Sequence, residues 1–114
     1  MMLAPAALAN RLETFVFDTT GNRIEFATSK KIYPKGKVLE NPTRLVIDLP
    51  GAKYKGPTVR RTIGKAVQAV RVGQVDADTT RLVVEFAPRF NLEDDEQLQL
   101  KALSSTSHWS VQLP

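Results

Sequence analysis

The chain has 114 residues, 42% of them hydrophobic, no cysteine and a formal net charge of +4. Such a length fits one domain, which buries about two-thirds of its unfolded surface and needs no covalent staples. Disulfides and thiolate metal sites are excluded. No apolar run approaches the roughly 20 residues of a membrane span, so membrane insertion is not expected.

Residues 1–9, Met1-Met2-Leu3-Ala4-Pro5-Ala6-Ala7-Leu8-Ala9, are apolar and end in a small-x-small pattern. They read as the remnant of a secretory signal peptide cut after Ala9, or as a disordered terminus. The folded domain is therefore expected over residues 10–114. A first hairpin spans about Leu12 to Ala27. In it Phe15 and Phe17 alternate against Ile24 and Phe26, and Asp18-Thr19-Thr20-Gly21-Asn22 supplies the turn formers. Pairing Phe17 with Ile24 sets Asp18 beside Arg23. Lys30 to Glu40 reads as an irregular excursion broken by Pro34 and Gly36, with Tyr33 and Val38 tucked against the core.

Asn41-Pro42 turns into the strand Thr43-Arg44-Leu45-Val46-Ile47-Asp48-Leu49, which Pro50-Gly51 ends. The basic linker from Lys53 to Lys65 would carry the chain from one sheet to the other. Val59, Ile63 and Val67 have the spacing of a short helix there, but Gly64 and the β-branched residues weigh against one. In the second hairpin, Val70 and Val72 face Leu82 and Val84 across a loop from Val75 to Thr79. A last hairpin pairs Leu98, Leu100 and Ala102 with Trp109, Val111 and Leu113 around Ser104-Ser105-Thr106-Ser107. Many short strands and no long helix predict an all-β fold, a β-sandwich of two antiparallel sheets.

The chain also repeats itself. Thr43-Arg44-Leu45-Val46-Ile47-Asp48-Leu49 returns as Thr80-Arg81-Leu82-Val83-Val84-Glu85-Phe86. Fainter echoes join Val46–Pro50 to Ser110–Pro114, and Arg23–Ala27 to the stretch from Arg81 to Ala87. They divide the chain into two related halves, roughly Leu12 to Ala52 and Val67 to Pro114, so the two sheets are expected to be internally duplicated. In both copies of the strong motif, alternation sends Leu, Ile, Val or Phe to the core and an Arg and a carboxylate outwards.

Charge is unevenly spread. Residues 23–65 hold 11 Lys and Arg against 3 Asp and Glu, whereas residues 66–114 hold 4 against 7. The basic stretch suits an anionic partner such as a wall polymer, a membrane surface or nucleic acid; solvated loops are the alternative. Exposed aromatics for base stacking are not interleaved with it, which argues against nucleic acid. The run Glu93-Asp94-Asp95-Glu96 lacks calcium-loop spacing and reads as a solvated loop.

Catalytic chemistry is hard to assemble. His108 is the sole histidine, so a multi-histidine zinc site is excluded, and no phosphate cradle or cofactor motif is present. The chain reads as a binding module without cofactors. Its candidate ligand residues are Arg44, Asp48, Arg71, Arg81 and Glu85 on outward strand positions, with Gly73 leaving room beside Arg71. Arginine's planar fork matches a carboxylate, and a rigid strand holds it with little ordering cost. A plain surface ion-pair ladder would give the same pattern. Trp109, Tyr33 and Tyr54 are the possible sugar platforms, although parity puts Trp109 on the core side.

Asn41-Pro42-Thr43-Arg44-Leu45-Val46-Ile47-Asp48-Leu49-Pro50-Gly51, with Val70-Arg71-Val72-Gly73-Gln74 and the second Thr-Arg-Leu-Val-Val-Glu-Phe block, resembles the AMIN domain. The resemblance covers about residues 10–114, and the chain is particularly similar to the domains that precede the catalytic domain of cyanobacterial N-acetylmuramoyl-L-alanine amidases. It implies a two-sheet β-sandwich, secreted to the periplasm, that binds peptidoglycan and targets an amidase to the septum. The family also occurs in type IV pilus secretins, and the alternative reading is a protein-interaction module that recruits the parent protein to a division or type IV pilus secretin complex. The zinc ligands of the amidase domain do not occur in this chain, so any hydrolysis would belong to a parent protein.

Overall fold

A computed structural model describes residues 9–18, 20–56, 58–64, 67–87, 99–103 and 106–113. Among them the chain forms strands and no helix: β1 (Asn10–Asp18), β2 (Arg23–Thr28), β3 (Lys35–Leu39), β4 (Arg44–Pro50), β5 (Ala52–Lys53), β6 (Val59–Gly64), β7 (Val67–Asp76), β8 (Thr79–Phe86), β9 (Gln99–Ala102) and β10 (His108–Gln112). The first sheet runs β5-β1-β2-β10-β9 and the second β3-β4-β8-β7-β6. Every neighbouring pair is antiparallel except β5, which lies parallel to β1.

Alternation decides what fills the space between the sheets. Phe17, Ile24, Phe26 and Val111 from the first sheet meet Leu45, Ile47, Leu49, Val70, Val72, Leu82, Val84 and Phe86 from the second. Fully burying one such side chain is worth about 1.5–3 kcal/mol, so this layer carries the fold.

Each half of the chain supplies one hairpin to each sheet. The first half gives β1–β2 to the first sheet and β3–β4 to the second; the second half gives β7–β8 to the second sheet and β9–β10 to the first. The correspondence holds in register. Phe17 opposite Ile24 answers to Val72 opposite Leu82, and Phe15 opposite Phe26 to Val70 opposite Val84. Val38 opposite Leu45 likewise answers to Ala102 opposite Trp109. Even the irregularities match: the ladder slips between Leu12 and Thr14 in one hairpin and between Val67 and Ala69 in the other. An extra residue there reverses side-chain parity, which is how Leu12 and Phe15, or Val67 and Val70, both reach the core.

The loudest sequence repeat is therefore not the equivalence of the halves. Its copies are β4 and β8, neighbours in one sheet, and antiparallel pairing sets each arginine opposite the other copy's carboxylate. The fainter echoes, β4 with β10 and β2 with β8, are the ones that match the duplication.

Several expectations need correction. The excursion between Lys30 and Glu40 contains a strand, β3, at the edge of the second sheet, where Gly36 and a preceding proline are tolerated. Tyr33 points away from the core at 71% exposure, and its neighbour Ile32 fills the core position instead. Residues 59–64, read as part of a linker, form strand β6: the β-branched residues that weigh against a helix gain a ladder by pairing with β7. The second hairpin turns tightly at Ala77-Asp78, with β7 and β8 reaching Asp76 and Thr79. Residues 1–8, which hold most of the expected signal remnant, the acidic run Glu93–Glu96, and Leu98, Ser104 and Ser105 lie outside the described residues. No helix among the described residues is long and apolar enough to cross a membrane.

Candidate functional site

The outer face of the second sheet collects all five expected residues. Three rungs cross it. The first reads Lys35, Asp48, Arg81, Gly73; the second Lys37, Val46, Val83, Arg71; the third Leu39, Arg44, Glu85, Ala69. Across β3, β4, β8 and β7 five cations thus share the rungs with two carboxylates, and β6 adds Arg60 at the register position opposite Arg71. Lys35 and Lys37, which sequence reading treats as loop residues, stand on it too, because β3 is a strand. The central Val46 and Val83 are buried although they face outwards. Their lateral neighbours are Lys37 and Arg71, whose long aliphatic stems can cover them while the charged ends remain in water.

Arg81 is clamped. Its Nε donates to Asp48 Oδ1 at 2.6 Å and its Nη2 to Asp48 Oδ2 at 3.1 Å, a two-pronged pair across β4 and β8. The hydrogen bonds from Arg81, then its charge and those of Lys37 and Lys35, hold the Asp48 carboxyl below its ordinary range, against a partial desolvation. Asp48 in turn raises Arg81 above its ordinary value, chiefly through the same hydrogen bonds. For this rung the ion-pair ladder is real. Arg44 stands opposite Glu85 in the ladder, while its Nε donates to the Pro42 carbonyl at 3.1 Å, tying the strand to the turn before it.

Arg71 differs from both. It is exposed, and among the described residues its side chain makes no hydrogen bond or ion pair. It borders a depression of about 300 Å³ that opens over Gly73, between Arg71 and Arg81, with Thr58, Val75 and Val83 on its walls. Arg71, Gly73, Arg81 and Val83 are thus brought together as expected, with Glu85 one rung further along the same face.

A second, larger hollow of about 630 Å³ lies where β5 runs beside β1. Arg11, Lys53, Tyr54 and Lys55 border it, and Tyr54 also packs on the core. Only the Lys53-Tyr54-Lys55 triplet signalled it in the sequence. Gln74 fixes this corner: its side-chain oxygen accepts from the Tyr54 amide at 2.6 Å, and its amide nitrogen donates to the Asp76 and Thr79 carbonyls. Of the other aromatic candidates, Trp109 is packed against the core, with its indole N–H donating to the Thr106 carbonyl at 2.8 Å.

No group of three or more metal-ligating side chains occurs among the described residues. Comparison with curated proteins finds no match. Comparison with protein families matches residues 15–113 to the AMIN domain, nearly the full chain. The AMIN domains are non-catalytic modules of periplasmic proteins that bind peptidoglycan and interact with other proteins. With a two-sheet sandwich, an internal duplication and a family match that spans both halves, this chain belongs to the AMIN domain family and is not itself catalytic.

Proposed function

We propose that this domain binds peptidoglycan directly through the outer face of its second sheet and so holds a parent cell-wall amidase at the wall, in particular at the septum. Secretion to the periplasm by a signal peptide belongs to the same reading. The observation that carries it is the excess of cations on that face, five to two across β3, β4, β8 and β7, containing an arginine without a partner among the described residues. Wall stems and lactyl groups present carboxylates and amides, which arginine forks and a strand-borne carboxylate can engage together. Arg44, Arg71 and Arg81 would contact the polymer's anionic groups; Asp48 and Glu85 would orient the guanidinium groups or accept from sugar hydroxyls.

The test is co-sedimentation of the protein with purified, protein-free sacculi at two salt concentrations. Arg44→Ala/Arg71→Ala should lose binding, whereas Lys30→Ala/Lys31→Ala, two exposed lysines in the crossover between the sheets, should keep it. Equal weakening of both would reduce the effect to general charge. If the wild type does not sediment, direct wall binding is overturned, and docking to a division or pilus secretin component takes its place.

A further inference from the structure

The two hairpins that repeat in register keep one outward residue, the arginine at 23 and 81, and differ at the others, two of which shape the depression. In the first sheet Asp18 stands opposite Arg23, and its Oδ2 accepts from Arg23 Nη2 at 3.3 Å. The equivalent position in the second sheet, opposite Arg81, is Gly73. Two residues earlier the first sheet has Val16, opposite Glu25, and the second has Arg71, opposite Val83. The second sheet has therefore lost a built-in carboxylate and gained an arginine beside the space left. That space is the depression over Gly73.

We infer that this depression is a carboxylate subsite, taking the terminal carboxylate of a short acyl or peptidyl chain that ends in a small aliphatic residue. The inference rests on the wall-binding reading and names the moiety that reading would present. Asp18 shows how such a group sits: its Oδ2 accepts from the arginine on the adjacent strand, while its Oδ1 accepts from the Thr20 and Gly21 amides of the turn. Over Gly73 the ligand supplies that carboxylate, Arg71 supplies the charge, and Arg81 adds Nη1 and the second N–H of Nη2, since Asp48 takes only the Nε–H and one Nη2–H. Asp48 neutralises Arg81, so Arg71 is the cation left to compensate. Thr58 offers a hydroxyl, and Val75 and Val83 offer apolar walls for a methyl-sized group. Glycine at 73 lets the Thr58 side chain close in at the rim of that depression. Gly73 has no positive φ that would demand glycine, and a Cβ there would meet Thr58 Oγ1 at 3.3 Å.

The experiment is NMR titration of the isotope-labelled protein with N-acetyl-alanyl-alanine and, separately, with its C-terminal amide, using both stereoisomers. The carboxylate form should shift the amides of Gly73, Gln74 and Thr58, and the amide form should not. Arg71→Gln, at an exposed position that leaves the fold alone, should weaken binding at least tenfold. Gly73→Asp, which restores the built-in carboxylate of the first sheet, should abolish it. Equal response to both probes, or wild-type affinity in both variants, overturns the subsite. Sacculus binding without carboxylate-specific shifts at Gly73 overturns the subsite alone. Specific shifts without sacculus binding keep the subsite and remove the wall-binding reading.

Discussion

The two outer faces of the sandwich are built on matching ladders and have diverged in chemistry. On the second sheet, Val46 and Val83 form an apolar centre among cations that outnumber the two carboxylates beside them; the positions that correspond to them on the first sheet are Ser110 and Glu25. Across those matching rungs the first sheet sets Arg23 and Lys101 against Asp18 and Glu25, a charge balance. Both sheets contain an outward arginine held by an aspartate, but differently. Arg81 is gripped at two points from β4, whereas Arg23 has one contact at 3.3 Å from β1, with its Nε left without a hydrogen-bond partner among the described residues. The lesson is that the inward face fixes the fold and leaves the outward face free to specialise.

The largest expected effect tests whether the sheets really share one core. Phe26→Ala and Phe86→Ala, fully buried from opposite sheets, should each cost about 3–5 kcal/mol. Denaturant melts should retain a single transition in both; two transitions would separate the sheets. Next comes charge reversal. Arg44→Glu/Arg71→Glu should weaken sacculus binding by more than about tenfold, which corresponds to about 1.4 kcal/mol. Lys101→Glu on the first sheet should leave binding within a factor of about two at matched salt. A comparable loss from both faces would break the proposed asymmetry.

A smaller effect concerns the clamp. Asp48 and Arg81 are 24% and 37% exposed, so solvent screening limits the pair to about 1 kcal/mol, and Asp48→Asn should cost about that much at pH 7. Because folding lowers the Asp48 pKa, the contribution is full above its ordinary value near 3.8 and fades as pH falls towards the folded value. The gap between wild type and Asp48→Asn, read as melting temperature against pH, should therefore close in acid. A gap that persists unchanged at pH 2 would remove the ionic explanation. The smallest effect is Val16→Arg, which places an arginine where the first sheet corresponds to Arg71. With Val16 already 54% exposed, stability should stay within about 0.5 kcal/mol. The N-acetyl-alanyl-alanine titration should show no new site, since Asp18 and Glu25 already occupy the neighbouring positions.

Much of this was legible because burial writes a period-two pattern. Phe15, Phe17, Ile24 and Phe26 revealed the first hairpin with its register, and Val70, Val72, Leu82 and Val84 the second. Edge strand β3 was not legible. An edge needs only one partner and tolerates the glycine and proline that punctuate loops elsewhere, so Lys35 and Lys37 were read as loop residues. For the site, parity alone placed Arg44, Asp48, Arg71, Arg81 and Glu85 outwards. Their grouping depends on which strands adjoin, and the pairing of Arg81 with Asp48 follows from β4 lying beside β8, a long-range fact absent from local pattern. The depression over Gly73 was visible as a residue without a side chain; its meaning came only from the comparison with Asp18.

The crossing of the halves has a consequence for assembly. The inner neighbour of β2 is β10 and that of β4 is β8, so each half ends in two strands whose open sides await the other half. Cleaving the chain between β5 and β6 would turn an internal docking step into a bimolecular one, and each fragment would become sticky at two places. Since the halves share one register plan, the partner that best satisfies a lone fragment besides its true complement is a second copy of itself.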